Sequence, residues 1–291
     1  MANNNNFCYL LLKTISVNLK YYMKALLVIS LISFVLWQTA RVMSEASKNR
    51  SAGVAYNWNM HDSFKTQLPP SAFEVSKSIL EKTDTINVDG VRVFYRECVP
   101  PAKIEPTLQT ILLLHGRSFS SETWSKLGTI SLFAALGNRV IAVDLPGYGK
   151  TEGEQYKSDR GKFISMLVTA LDMQRLVVIS PSMSGSYSIP YLTAYPEKLS
   201  GFIPVAPTST NNVPQDTLAR ITVPTLSIVG TDDDTGLAEQ ANVNLEVMPN
   251  QAQVQISDAR HAVYLNQPHL FHTAVYNFML ALRKEIDARI A

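Results

Sequence analysis

Cysteine is scarce in this chain. Cys8 and Cys98 are the only two among 291 residues, which excludes a disulfide framework and a cysteine-based metal cluster. Charge is sparse as well. Asp, Glu, Lys and Arg make up 17% of the residues, and the formal net charge is +2, so no nucleic-acid groove is expected. The five histidines are scattered; His269 and His272 share a helical pattern with no carboxylate or cysteine set and read as packing or surface residues, not metal ligands. Internal repeats are absent. With 46% hydrophobic residues, the length suits one α/β domain with an extension.

Long apolar runs are equally rare, with one exception near the N-terminus. The sixteen residues Ala25 to Ala40 carry no charge, with Lys24 before them and Arg41 after. A bilayer core takes about 20 helical residues, and snorkelling by the flanking cations with Tyr21, Tyr22 and Trp37 at the interface extends the shorter run. The segment is expected to be a signal-anchor following a cytoplasmic segment 1–24. The alternatives are a cleaved signal peptide, with Ser44-Glu45-Ala46 as its site and a secreted product, or a buried core helix. Lys13, Lys20 and Lys24 stand unopposed by acid before it, a bias towards a cytoplasmic N-terminus and a luminal or extracellular domain, as in a single-pass type II protein. Asn49-Arg50-Ser51 would then be an N-glycosylation acceptor on the correct side. Residues 41–84, with Asn57, Asn59, His61, Asp62, Pro69 and Pro70, read as a stalk or linker, and 85–291 as the folded domain.

Within that domain, Thr85–Val88 and Val91–Tyr95 flank Asp89-Gly90, a hairpin signal. Apolar strands are expected at Thr110–Leu114, Arg139–Val143, Leu176–Ile179, Gly201–Val205, Thr225–Val229 and Val254–Ile256. Helical patterns run over Glu122–Leu136, Gly161–Leu171 and Pro268–Ile286. The alternation argues for a mostly parallel sheet with helices on both faces. Gly149-Lys150-Thr151 resembles the end of a phosphate-binding loop, but Asp144 stands where that motif needs glycine, so no nucleotide site is inferred.

Ser180-Pro181-Ser182-Met183-Ser184-Gly185 follows an apolar strand and precedes a helical pattern, the layout of a nucleophile elbow. That elbow is usually written G-x-S-x-G. Here serine replaces both flanking glycines and keeps those positions small. A serine hydroxyl needs a base to take its proton, and the base needs an orienting acid. The acid is offered by the cluster Asp232-Asp233-Asp234 at one strand end, and the base by His261 after the next strand. The order Ser, acid, His is that of α/β-hydrolases. Two N–H donors for an oxyanion are expected at Met183 and Arg117. Asp144, ahead of the elbow, is assigned to loop structure. Only Asn211 to Ile221 separate the turn after Val205 from the next strand, which leaves no room for a large cap over the site.

Leu113 to Trp124, the Ser-Pro-Ser-x-Ser-Gly elbow and Phe202 to Thr210 resemble the abhydrolase domain-containing protein 14 family, over about residues 85–285. The N-terminal apolar segment resembles its membrane-anchored member. The resemblance implies an α/β-hydrolase fold and the triad Ser182, Asp233 and His261, so that it selects among the three aspartates; Asp234 departs from the family's pattern beside them. It also implies small acyl donors, acetyl above all, with coenzyme A as an acceptor. No cofactor is expected, and a membrane-tethered interaction module without catalysis is the competing reading.

Overall fold

The computed structural model describes residues 60–290. Their strands form one eight-stranded sheet: β1 (Lys82–Val88), β2 (Val91–Cys98), β3 (Thr110–Leu113), β4 (Arg139–Val143), β5 (Leu176–Pro181), β6 (Leu199–Val205), β7 (Thr225–Gly230) and β8 (Gln251–Ile256). The order is β1-β2-β4-β3-β5-β6-β7-β8. β2 pairs antiparallel with both neighbours, and the remaining pairs are parallel. The helices are α1 (Pro70–Ser76), α2 (Ser121–Lys126), α3 (Thr129–Ala135), α4 (Arg160–Ala170), α5 (Gly185–Ala194), α6 (Gln215–Leu218), α7 (Leu237–Leu245), α8 (Val263–Asn266) and α9 (Pro268–Ile290). This is the α/β-hydrolase architecture expected from the sequence, without a large cap: between β6 and β7 lie one short 3-10 turn and the four-residue α6.

The unbroken apolar runs have a direct cause. A pleated strand sends alternate side chains to opposite faces, and here helices cover both. Leu112, Ile141 and Val178 face Phe163, Leu167 and Leu192 of α4 and α5. Ile111, Leu113, Val140, Val177 and Ile203 face Trp124, Phe133, Phe271 and Phe278 of α2, α3 and α9. Each such fully buried large side chain contributes about 1.5–3 kcal/mol. The Asp89-Gly90 turn closes β1 on β2 with both residues at positive φ, as a two-residue hairpin turn requires. Cys98 sits in the second core layer, and burial pushes its thiol up to about 12.

Two expectations are corrected. The helix expected over Glu122–Leu136 is two helices, α2 and α3, separated at Gly128. Its φ of +70° ends one helix and starts the other. The apolar period continues across the break, so the pattern alone hides it. The expected stalk is also shortened. In its described part, a 3-10 turn (Met60–Phe64) and α1 belong to the fold. Leu68 and Ala72 are buried against Leu132 and Ala135 of α3. Asn277 of α9 clamps Thr66 from both sides, accepting from its N–H at 2.9 Å and donating to its carbonyl at 2.8 Å. Pro70 stands at the first position of α1, where its missing N–H costs nothing. The apolar segment 25–40 and Asn49 lie outside the described residues. Among the described residues, no helix is long and apolar enough to cross a membrane.

Candidate active site

In a parallel sheet, the loops at the carboxyl ends of the strands gather on one edge. Here that edge carries Gly116 and Arg117 after β3, Ser182 after β5, Asp233 after β7 and His261 after β8. Ser182 opens a 3-10 turn and has φ +51°, a conformation that costs a non-glycine residue about 1–3 kcal/mol. The surroundings hold it there. Its carbonyl accepts from Thr208 N–H at 2.9 Å and from Thr208 Oγ1 at 3.2 Å. Gly185 opens α5 directly on that same loop; a β-carbon there would collide with the Thr208 carbonyl.

The serines flanking the elbow do more than stay small. Ser184 Oγ donates to the Pro181 carbonyl at 2.8 Å, and it lies 3.0 Å from Ser180 Oγ. Ser180 Oγ is also 2.6 Å from Ser188 Oγ on α5. A carbonyl only accepts, so the donors run in one sense: Ser188 to Ser180 to Ser184 to Pro181. All three hydroxyls are buried. The turn is therefore tied internally to strand and helix at the positions where glycine is customary.

Ser182 Oγ stands 2.9 Å from His261 Nε2, and His261 Nδ1 stands 2.8 Å from Asp233 Oδ2. The carboxylate fixes the tautomer: Nδ1–H donates to Asp233, which leaves Nε2 to accept the serine proton. The Asp233 side chain is sealed from solvent, whereas His261 keeps about a quarter of its surface exposed. Burial works against the Asp233 anion. The Thr235 hydroxyl (2.6 Å), the His261 ring and the Thr235 N–H (3.0 Å) together outweigh it and hold the carboxyl below its usual value. Of the other aspartates in the cluster, Asp232 accepts from the exposed Thr231 hydroxyl and Asp234 is exposed.

Met183 is the second residue of the turn, so its N–H precedes the first intrahelical acceptor. The Arg117 N–H makes no hydrogen bond to any described group, and its side chain is exposed. The loop carrying it is pinned by His115. Leu145 N–H donates to His115 Nε2 at 2.9 Å, so Nδ1 carries the proton and donates to the Gly116 carbonyl at 2.9 Å. Burial keeps this ring below the usual histidine range, against the opposing pull of the Gly116 carbonyl and Asp144. Asp144 is structural, as expected: its carboxylate accepts from Ser121 N–H at 2.6 Å and Lys150 N–H at 2.7 Å. His272 is a packed residue, buried beside the Thr129 hydroxyl at 2.9 Å, and burial lowers it to about 4.

Thr235, Thr208 and His115 are the supports that sequence reasoning did not single out. Thr235 had a faint signal, since Asp-x-Thr followed by glycine suits a turn in which the aspartate caps the backbone two residues on.

The model of the alpha/beta hydrolase family matches residues 111–189. Protein ABHD14A of Danio rerio is 40% identical over 65% of this chain and 72% of its own length. A human protein named putative protein-lysine deacylase ABHD14B is 36% identical over 72% of this chain and the whole of its own. Among solved structures, a predicted CIB-like hydrolase from Thermoplasma acidophilum superposes with TM-score 0.62 at 26% identity, covering 70% of this chain and 99% of that one. With the eight-stranded sheet and this degree of identity over the folded domain, the chain belongs to the ABHD14 family of α/β-hydrolases.

Proposed function

We propose that this hydrolase is a serine hydrolase that cleaves small acyl esters or amides through an acyl-enzyme. The observation that carries the reading is the unbroken run Asp233–His261–Ser182, at 2.8 and 2.9 Å, ending on a serine held at positive φ. Ser182 Oγ attacks the substrate carbonyl carbon as its proton passes to His261 Nε2. Asp233 stabilises the imidazolium, and the Met183 and Arg117 N–H groups receive the oxyanion. Collapse breaks the bond to the leaving group, which takes its proton from His261. Water then repeats the sequence on the acyl-serine and releases the acid.

The uncapped site favours a short acyl group on a bulky leaving group, since among the described residues no lid encloses a long chain. The name of the human relative supports an acylated lysine amide as that leaving group's source. A thiol acceptor such as coenzyme A in place of water is the second reading, and the open approach to Ser182 favours it. The charge-free run 25–40 supports a single-pass type II anchor with a luminal or extracellular hydrolase domain and a glycosylated Asn49.

Fluorophosphonate labelling tests the reading. Wild type and Ser184→Ala are expected to label, while Ser182→Ala and His261→Ala are not. A folded wild type that resists the probe would make the non-catalytic interaction module the better account.

A further inference from the structure

Tyr264 follows His261 by one turn of chain and stands on α8. It is 2% exposed. Its ring is wedged among Trp124, Phe271 and Phe119, with centroids 4.7, 5.9 and 6.1 Å away. Trp124 is itself anchored, donating from Nε1 to the Leu114 carbonyl at 2.7 Å. The phenol ring therefore has one place to be.

Its hydroxyl makes no hydrogen bond to any described group, and it is not among the polar atoms sealed without a partner, so the tip of an otherwise buried ring opens onto accessible space. The hydroxyl and the Ser182 side chain also flank the same residue, Gly116. A β-carbon on Gly116 would stand 3.8 Å from Tyr264 Oη, 3.7 Å from Ser182 Cβ and 3.3 Å from Phe119 Cδ2. A side chain at Gly116 would thus press on Phe119 and touch both Ser182 and the Tyr264 hydroxyl, so its absence lets those two groups border the same backbone position. Burial pushes the phenol above the usual tyrosine value, so it keeps its proton and remains a donor at neutral pH. The acceptor it lacks is one that a substrate carbonyl can supply.

We propose that Tyr264 faces the substrate and donates a hydrogen bond to the carbonyl oxygen of the acyl donor, joining the Arg117 and Met183 N–H groups as a third donor. The inference rests on the serine-hydrolase reading. No bond to Tyr264 is made or broken; the proton stays on Oη while negative charge grows on the carbonyl oxygen and returns to the carbonyl bond on collapse. Such a donor strengthens its contact as the charge develops, so it acts on the transition state more than on the bound substrate.

The test uses the full chain, p-nitrophenyl acetate turnover and fluorophosphonate labelling rates. Tyr264→Phe keeps the ring and removes only the donor, so its melting temperature should match wild type. Its kcat and labelling rate should fall by about tenfold to a hundredfold with little change in KM. Gly116→Ala, which sets a methyl group between Ser182 and Tyr264, should also slow both, and adding Tyr264→Phe to it should cost less than in wild type. Unchanged kcat and labelling in Tyr264→Phe would overturn the proposal, as would a rise in KM alone. A wild type that neither labels nor turns over would bring down the serine-hydrolase reading, and this inference with it. An active wild type matched by Tyr264→Phe would overturn the role of Tyr264 alone.

Discussion

Restoring the customary glycine to the elbow should weaken this protein. By pattern alone, Ser180→Gly is a return to the usual motif and ought to be neutral or favourable. The structure argues the reverse. Ser180 is fully buried, and its hydroxyl touches Ser188 Oγ at 2.6 Å and Ser184 Oγ at 3.0 Å. Each such bond is worth about 1 kcal/mol net, and glycine adds roughly 0.5–1 kcal/mol of unfolded-state freedom. Nothing is recovered in return, because Ser180 is not at positive φ. The expected loss is about 2–3 kcal/mol, or a melting temperature lower by about 4–12 °C for a domain of this size. Ser184→Gly should behave alike, since Ser184 has φ −66° and holds the Pro181 carbonyl. The double variant should lose less than the sum, because the two share one bond. Thermal unfolding of the three variants is the assay, with fluorophosphonate labelling to confirm that Ser182 remains in place. A melting temperature equal to or above wild type for Ser180→Gly would refute the reasoning and reduce the serines to mere small residues.

Thr235→Val removes the hydroxyl that bonds Asp233 at 2.6 Å. Asp233 is held below its ordinary 3.8, so its contribution is complete above that pH and is lost as pH falls through the folded-state value. In the variant, burial of the carboxylate is less opposed and the loss begins at higher pH. The urea midpoint at neutral pH should drop by about 1 kcal/mol equivalent, with the gap to wild type closing on acidification; a gap constant with pH would contradict this account. Leu68→Ala should cost about 2–3 kcal/mol in denaturant titration, because Leu68 packs on Leu132 and Ala135. No change would mean that residues 60–81 are a free stalk after all.

Much of the fold was legible because parallel strands covered on both sides announce themselves as apolar runs. Ile111 to Leu114 and Leu176 to Ile179 could hardly sit elsewhere. The site was legible for a different reason: serine, acid and histidine each follow a strand, and a parallel sheet brings strand ends to one edge. Less was readable where function depends on contacts between distant residues. Thr208 and Tyr264 belong to no short motif; what distinguishes them is a neighbour reached through the fold, whereas Thr235 bonds Asp233 only two residues away. Helix α1 was hidden by Pro69-Pro70, which reads as a linker until Leu68 and Ala72 are seen against α3. Gly128 was hidden because α2 and α3 share one apolar rhythm on either side of it.

The ordered hydroxyls of the elbow bear on chemoselectivity. Ser180, Ser184 and Ser188 crowd within a few residues of Ser182, yet each is buried and already engaged by a partner. An electrophile arriving at this edge of the sheet meets a cluster of four alcohols of the same intrinsic reactivity. Only Ser182 combines access with a base to take its proton. On the serine-hydrolase reading, discrimination among identical functional groups follows from committing three of them to one another, and a covalent reagent is expected at a single oxygen without any difference in side-chain chemistry.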